Sequence, residues 1–310
     1  MRWPIRKKHA QGWLAVALGE GRARFAHVRP GKRPAVAFLE ERSWSVSEPK
    51  SLERMARQME AQSYRCTTLL AQSECQLLQV EAPNVKRDEL KAALRWRVKD
   101  MIDYHVNDAT IDVLDVPSRG APQRAAMMYV IAARNDVVRR VMDGFEAARV
   151  PLHVIDIPDT AQRNIAALYE SAERALITLS FGEHGGLITI TSGGELYFSR
   201  RLEMNYGQVN AGDAGRERAF DRVLIEIQRS LDHFERSFSQ LSIGRLLVAP
   251  MECSAALVAH LAANIYVPVA AMDLAEVMDL PPAYAVAGAD EHARWFGLIG
   301  AGLRVEGTVL

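Results

Sequence analysis

The 310-residue sequence contains no apolar run near the roughly 20 residues needed to cross a bilayer, and no charged-apolar-cleavage pattern opens it as a secretory leader would. The expectation is a soluble cytoplasmic chain. Net charge is also missing: 38 Lys and Arg balance 38 Asp and Glu, so no global field draws the molecule to a polyanion and no nucleic-acid partner is expected. Cysteine is scarce. Cys66, Cys75 and Cys253 form no CxxC pair and leave an odd count, which excludes a disulfide framework and reads as idle thiols in a reducing compartment. The eight histidines show no HExxH or paired spacing, so no metal centre is expected. There is no GxSxG elbow either. Ser180, Glu183 and His184 are near neighbours on one turn, an arrangement that does not make a catalytic triad.

What is present is a glycine turn after an apolar strand, twice: Ala15 to Gly21, and Leu176 to Gly186. Both turns resemble phosphate loops, with Gly19 and Gly182 as the glycines that would approach a phosphate. In a nucleotide-hydrolysing fold with two such loops, the strand before each glycine carries an aspartate that orients magnesium and the attacking water. Here those positions are Ala17 and Ser180. Serine can donate a hydrogen bond to a phosphate but brings no charge to a metal. Glu20 and Glu183 follow the glycines, and a rescue by these shifted carboxylates stands against the simpler reading of solvent-facing turn residues.

Strand and helix periods repeat around the two turns. Strands at Trp13 to Leu18, Arg24 to Val28 and Ala35 to Leu39 precede a helix with Leu52, Met55, Ala56 and Met59 on one side, and then strands at Thr67 to Leu70 and Cys75 to Val80. The order restarts with strands from Leu176, Leu187 and Glu195, followed by a long helix with a stripe of Phe220, Leu224, Ile227, Leu231, Phe234 and Phe238. The fold class expected is α/β, duplicated, with two lobes around a cleft. A unit of different character, 83–151, separates the halves. Its first helix has a face of Leu90, Leu94, Val98 and Met101, two strands follow, and a helix starts at Asn135 or Asp136. The expected division is a basic tail 1–12, a first lobe 13–82 returning at 152–174, the insert 83–151, and a second lobe 175–310. The tail places Arg2, Arg6, Lys7 and Lys8 around Trp3 and Ile5, a pattern that suits either a solvated terminus or contact with an anionic membrane.

Several blocks carry a family resemblance in a characteristic order: Gln79-Val80-Glu81-Ala82-Pro83, Glu89-Leu90, Trp96 to Ile102, Asp112, Tyr129 to Arg134, Val154-Ile155-Asp156, Arg163-Asn164, and Gly297 to Arg304. Together they resemble the PilM-type proteins of type IV pilus assembly, most closely the MshI branch of the mannose-sensitive haemagglutinin (MSHA) pilus, over about Trp13 to Arg304. The resemblance implies the RNase H-like, actin-like ATPase fold with a small α+β insert in the first lobe. It implies a protein on the inner face of the inner membrane that docks the cytoplasmic N-terminal tail of a bitopic PilN-like partner, and it leaves contact with the pilus assembly ATPase and a homodimer open. The cofactor it implies is ATP, at Gly19, Gly182 and the closing glycines including Gly300. Three departures argue against ATP: Ala17, Ser180, and Ala249-Pro250-Met251 where relatives offer adenosine a glycine pair. No catalytic residue is assigned, and an active ATPase that switches or polymerises on nucleotide is the alternative. The GspL-like domains of type II secretion share the fold.

With the cleft idle, the insert and first lobe become the working surface. Trp96 lies off the apolar stripe between Arg95 and Arg97, and with Arg134 it is the candidate partner site, expected beside an extended tail lying between first lobe and insert. The competing reading packs Trp96 on the insert's own sheet.

Overall fold

A computed structural model describes residues 10–19, 21–44, 49–117, 126–171 and 173–305. Most of the basic tail, Glu20 and the loop 118–122 lie outside the described residues. The chain runs β1 (Trp13–Gly19), β2 (Arg22–Arg29), β3 (Ala35–Ser43), α1 (Pro49–Gln58), β4 (Arg65–Leu69), β5 (Cys75–Glu81), α2 (Leu90–Val98), β6 (Ala109–Asp115), β7 (Met127–Arg134), α3 (Asn135–Ala147), β8 (Leu152–Asp156) and α4 (Pro158–Ala166). It continues through β9 (Ala175–Gly182), β10 (Gly185–Ser192), β11 (Glu195–Leu202), α5 (Tyr206–Val209), α6 (Asp213–Ser237), β12 (Ile243–Val248), α7 (Ser254–Ala262), β13 (Val269–Ala271), α8 (Pro282–Ala285) and α9 (Ala289–Gly302).

Two five-stranded sheets have one plan, β3-β2-β1-β4-β8 and β11-β10-β9-β12-β13. In each, the first three strands form an antiparallel meander and the last two join parallel to the first. Parallel neighbours need crossover helices, which α3 and α7 supply between the fourth and fifth strands. This is the duplicated RNase H-like arrangement of the actin-like ATPases, as expected.

Side-chain alternation along β1 decides which helix packs where. Leu14 and Val16 point to α1 and α3, in a cluster with Leu52, Met55 and Phe145. Ala15 and Ala17 point the other way, and with Ala26 they leave a shallow surface for a close-packed helix. That helix is α9, from the far end of the chain, which lies on β1, β2 and β4 of the first lobe. Reciprocally α4, which follows the first lobe's last strand, lies on β9, β10 and β11 of the second. The two exchanged helices cross where a Cβ on Gly300 would sit 2.3 Å from the Ala161 carbonyl oxygen, and Asn164 Nδ2 donates to the Gly300 oxygen at 3.0 Å. The second lobe's own core forms between its sheet and α6, where Phe220, Ile227, Leu231 and Phe234 of the expected stripe are buried along with Val223.

The insert differs from the expected α-β-β-α unit starting at Pro83. β5, expected in the first lobe's sheet, is an edge strand of a separate sheet, β5-β7-β6, while Phe145 of α3 and Ala148 just after it join the first lobe's core. A strand and its length are legible in a sequence; the sheet it joins is set by tertiary pairing. Leu94 and Val98 of α2 cover one face of this sheet with Val80, Ile111 and Val130. Met101, expected on the same stripe, is 45% exposed because the helix ends at Val98, and Ile102 is buried in that cluster instead. The opposite face of the insert meets both lobes. Ile131 and Ala133 pack with Ile157, and Tyr129 packs with Leu196 while its hydroxyl donates to the Tyr197 carbonyl at 3.1 Å.

Candidate nucleotide cleft and partner surface

The first glycine turn is held from outside, with the Trp44 indole donating to the Gly19 carbonyl at 3.0 Å. Ala17, where the resemblance implies a carboxylate, packs at the margin of an apolar cluster that includes Ala249, Trp295 and Phe296. Its cross-strand neighbour Arg24 donates to the Arg294 carbonyl of α9 at 3.1 Å. Ala249, expected where adenosine would meet a glycine pair, is 4% exposed, and Met251 is buried in the second lobe's core.

The strands flanking the second turn receive side-chain hydrogen bonds from α4 and from the turn between β4 and β5. The Ser180 hydroxyl donates to Gln162 Oε1. The amide of Gln162, a residue 2% exposed, donates to the Thr178 carbonyl at 2.9 Å, to Thr189 Oγ1 at 2.9 Å and to the Leu187 carbonyl at 3.3 Å. Gln72, from the turn between β4 and β5, donates to the Gly186 carbonyl at 3.1 Å. Gly182 is exposed, as are Glu183 and His184, whereas Gly185 is buried with a φ of 150° that L side chains rarely adopt. Gly300 lies in the crossing of α4 and α9, where Ala161 fills the space beside its Cα.

Next to this turn lies a charge network that the sequence reading did not name. Arg201, on β11, reaches Asp159 Oδ2 at 3.0 Å, the Gln72 carbonyl at 2.6 Å, the Cys75 carbonyl, and Cys75 Sγ at 3.3 Å. Asp159 is fully buried and also accepts from Ser199. Burial works against the guanidinium charge, but the neighbouring Asp159 carboxylate favours it, and the Arg201 pKa lies above its ordinary value. Burial also pushes the Cys75 thiol up, only partly opposed by Arg201, so the sulfur stays protonated and is no nucleophile. The latch ties α4, the root of the insert and the second lobe's sheet together. A second tie lies at the β2–β3 turn, where Arg33 bonds Asp279 Oδ1 at 2.7 Å and the Glu276 carbonyl at 2.8 Å. The signal that could have found the first latch was Pro158-Asp159-Thr160, a proline opening a helix and followed by an acidic residue in its first turn.

The candidate partner residues separate. Arg95 donates to the Val106 carbonyl at 2.7 Å, and Arg134 lies 4.4 Å over the Tyr104 ring, so both hold the loop that leaves α2. Trp96 does not pack on the insert's sheet. It is 72% exposed, with Lys99 Nζ 5.8 Å from its ring, on a helix covering the sheet face turned away from both lobes. It therefore cannot line a groove between first lobe and insert. β5 has β7 as its one partner strand among the described residues, and Gln76 Oε1 on it is buried without a hydrogen-bond partner. β6, the other edge, is blunted by Asp112, whose carboxylate accepts from the Val113 amide at 3.0 Å.

No family model and no curated protein matches the sequence. Among solved structures, a chain of the "PilM-PilN type IV pilus biogenesis complex" superposes with a TM-score of 0.69 at 19% identity, over 94% of this chain and 98% of that one. The cytoplasmic domain of EpsL, an inner-membrane component of the Vibrio cholerae type II secretion system, gives 0.47 at 14% identity, over 93% of this chain and 95% of that one. A Bacteroides thetaiotaomicron protein of unknown function with an actin-like ATPase fold gives 0.49 at 10% identity, over 90% and 96%. The first likeness establishes the fold across nearly the whole chain. No helix among the described residues is long and apolar enough to cross a membrane.

Proposed function

We propose that this chain is a PilM-like scaffold of type IV pilus assembly, of the MshI kind, in which the nucleotide cleft has become a structural joint. The observation that carries the reading is the Gln162 side chain. It takes the hydroxyl of Ser180 and bridges both strands of the second phosphate turn, so the groups that would face a γ-phosphate are bonded to protein instead. A magnesium nucleotide does not fit this donor set. Ala17 and Ser180 offer no charge, and the adenosine side is occupied by buried Ala249 and Met251. The likeness to the PilM–PilN complex supports a bitopic PilN-like partner, whose cytoplasmic tail would hold this protein at the inner membrane.

The tail is assigned to the edge of β5, which has one partner strand among the described residues and where backbone pairing would supply affinity. Arg134 stands at the end of the neighbouring strand, where the insert returns to the first lobe. Two measurements test this. Calorimetry with ATP and magnesium should show no binding; tight, magnesium-dependent binding restores the active ATPase. Pull-down with the PilN-like cytoplasmic tail should weaken for Arg134→Glu and stay unchanged for Trp96→Ala, and undiminished capture by Arg134→Glu rejects the placement.

A further inference from the structure

Trp96 is left without a task by the cleft and by the β5 edge. A tryptophan 72% exposed on an ordered helix is uncommon, because its ring carries the largest apolar area of any side chain. Val85 at 42% and Met101 at 45% are exposed at the two ends of the same segment. Between Val85 and Met101 the chain has six basic residues and three acidic ones in a protein of zero net charge, so positive charge is concentrated here. Arg95 is committed to Val106 and Lys91 to Asp112, but Lys86, Arg87, Arg97 and Lys99 are exposed. Glu89 and Asp100 lie on the Trp96 side by helical spacing, and Lys99 stands 4.0 Å from Asp100. The short apolar body and basic fringe match the chemistry of a membrane interface, where an indole settles among headgroups and ammonium and guanidinium groups meet phosphates.

We propose that the outer face of α2, with Trp96 as anchor and Arg97 and Lys99 as flanking charges, is a contact surface for anionic phospholipid. The helix lies on the insert's face away from both lobes, so lipid contact leaves the cleft and the β5 edge accessible. The surface does not depend on the partner assignment, since it rests on exposure and charge alone.

The test is sedimentation of the full chain with vesicles of phosphatidylcholine alone and of an equal mixture with phosphatidylglycerol. Wild type should bind the mixed vesicles, ignore the neutral ones, and release at raised salt. Each basic residue lost at such a surface weakens partitioning about fivefold, so Arg97→Glu with Lys99→Glu should lose at least about 25-fold. Trp96→Ala should bind severalfold more weakly at unchanged net charge. All three positions are exposed, and thermal melting by circular dichroism should be that of wild type. Absence of wild-type binding to the mixed vesicles overturns the proposal and leaves the face to an acidic protein partner. Equal binding by the variants also overturns it and moves lipid contact to another basic segment. Tail capture, measured in parallel, is unaffected by these substitutions, so failure of one assignment is distinguishable from failure of the other.

Discussion

Gly300→Ala separates a packing glycine from a ligand glycine. In an exposed helix the change would be favourable, because glycine costs about 1 kcal/mol relative to alanine in helix interiors. At Gly300 a Cβ would stand 2.3 Å from the Ala161 oxygen and 2.8 Å from its carbonyl carbon. Both are backbone atoms of α4, so no side-chain rotation relieves the contact and α9 has to move off its partner. Overpacking of this kind costs about 1–3 kcal/mol, and the helix-propensity gain of about 1 kcal/mol offsets part of that, leaving up to about 2 kcal/mol of net destabilisation. Gly297 on the same helix is the internal control. Its Cβ would meet only Leu69 Cδ1, at 3.5 Å, an ordinary contact, so Gly297→Ala should be neutral or stabilising by up to about 1 kcal/mol. Urea unfolding followed by far-ultraviolet circular dichroism gives the two midpoints side by side. Equal midpoints for the two variants, or a gain for Gly300→Ala, would refute the close crossing of α4 and α9.

Arg201→Ala leaves Asp159 buried without its cation, and removing one partner of a buried pair typically costs about 3–5 kcal/mol, so a large drop in the urea midpoint is expected, with partial recovery when Asp159→Asn is added; a loss under about 1 kcal/mol would mean the latch is solvated. His27 is 6% exposed, with Nε2 against the Gln11 carbonyl at 3.0 Å, and burial lowers its pKa from 6.5. The unfolded chain therefore takes up the proton more readily, so the contribution of His27 is present above pH 6.5 and is lost as pH falls through the lower folded value. Denaturation midpoints between pH 7 and pH 5 should fall more steeply for wild type than for His27→Gln, and identical slopes would show that the imidazole is not desolvated.

Both meanders, the long amphipathic α6 and the two glycine turns were legible because each depends on a local period or a turn residue. Ala17 and Ser180 were legible as missing charges for the same reason: the strand and its glycine fixed the register. The helix exchange was not. Nothing local in Pro158–Ala166 or Ala289–Gly302 says that each packs on the opposite lobe, and the decisive contacts, Ala161 with Gly300 and α9 with the alanines of β1, join residues far apart in the chain. Gln162 and Arg201 were unreadable in a related way. A lone glutamine in a helix and an arginine in a strand have no periodic signature, and their meaning comes from bringing β9, β11 and the root of the insert together. Trp96 was read as an interface residue, but its side of the insert depended on which sheet face α2 covers, and that followed from β5 leaving the first lobe.

A nucleotide switch of this architecture works by moving one lobe against the other about its linking helices. Here those helices are exchanged and locked at Gly300, Arg201 spans from the second sheet to Asp159 and the root of the insert, and Arg33 ties the β2–β3 turn to Glu276 and Asp279. Opening the cleft would expose a buried carboxylate and the Gln162 hydrogen bonds at once, a cost of several kcal/mol, and on the proposed reading the uncharged Ala17 and Ser180 have no phosphate or metal contact to offset it. On the proposed reading, selection has then acted on surfaces. The Arg201 latch beside the second turn also grips the Cys75 carbonyl, at the first residue of β5, so on that reading it fixes the strand proposed to receive the partner relative to the second lobe's sheet.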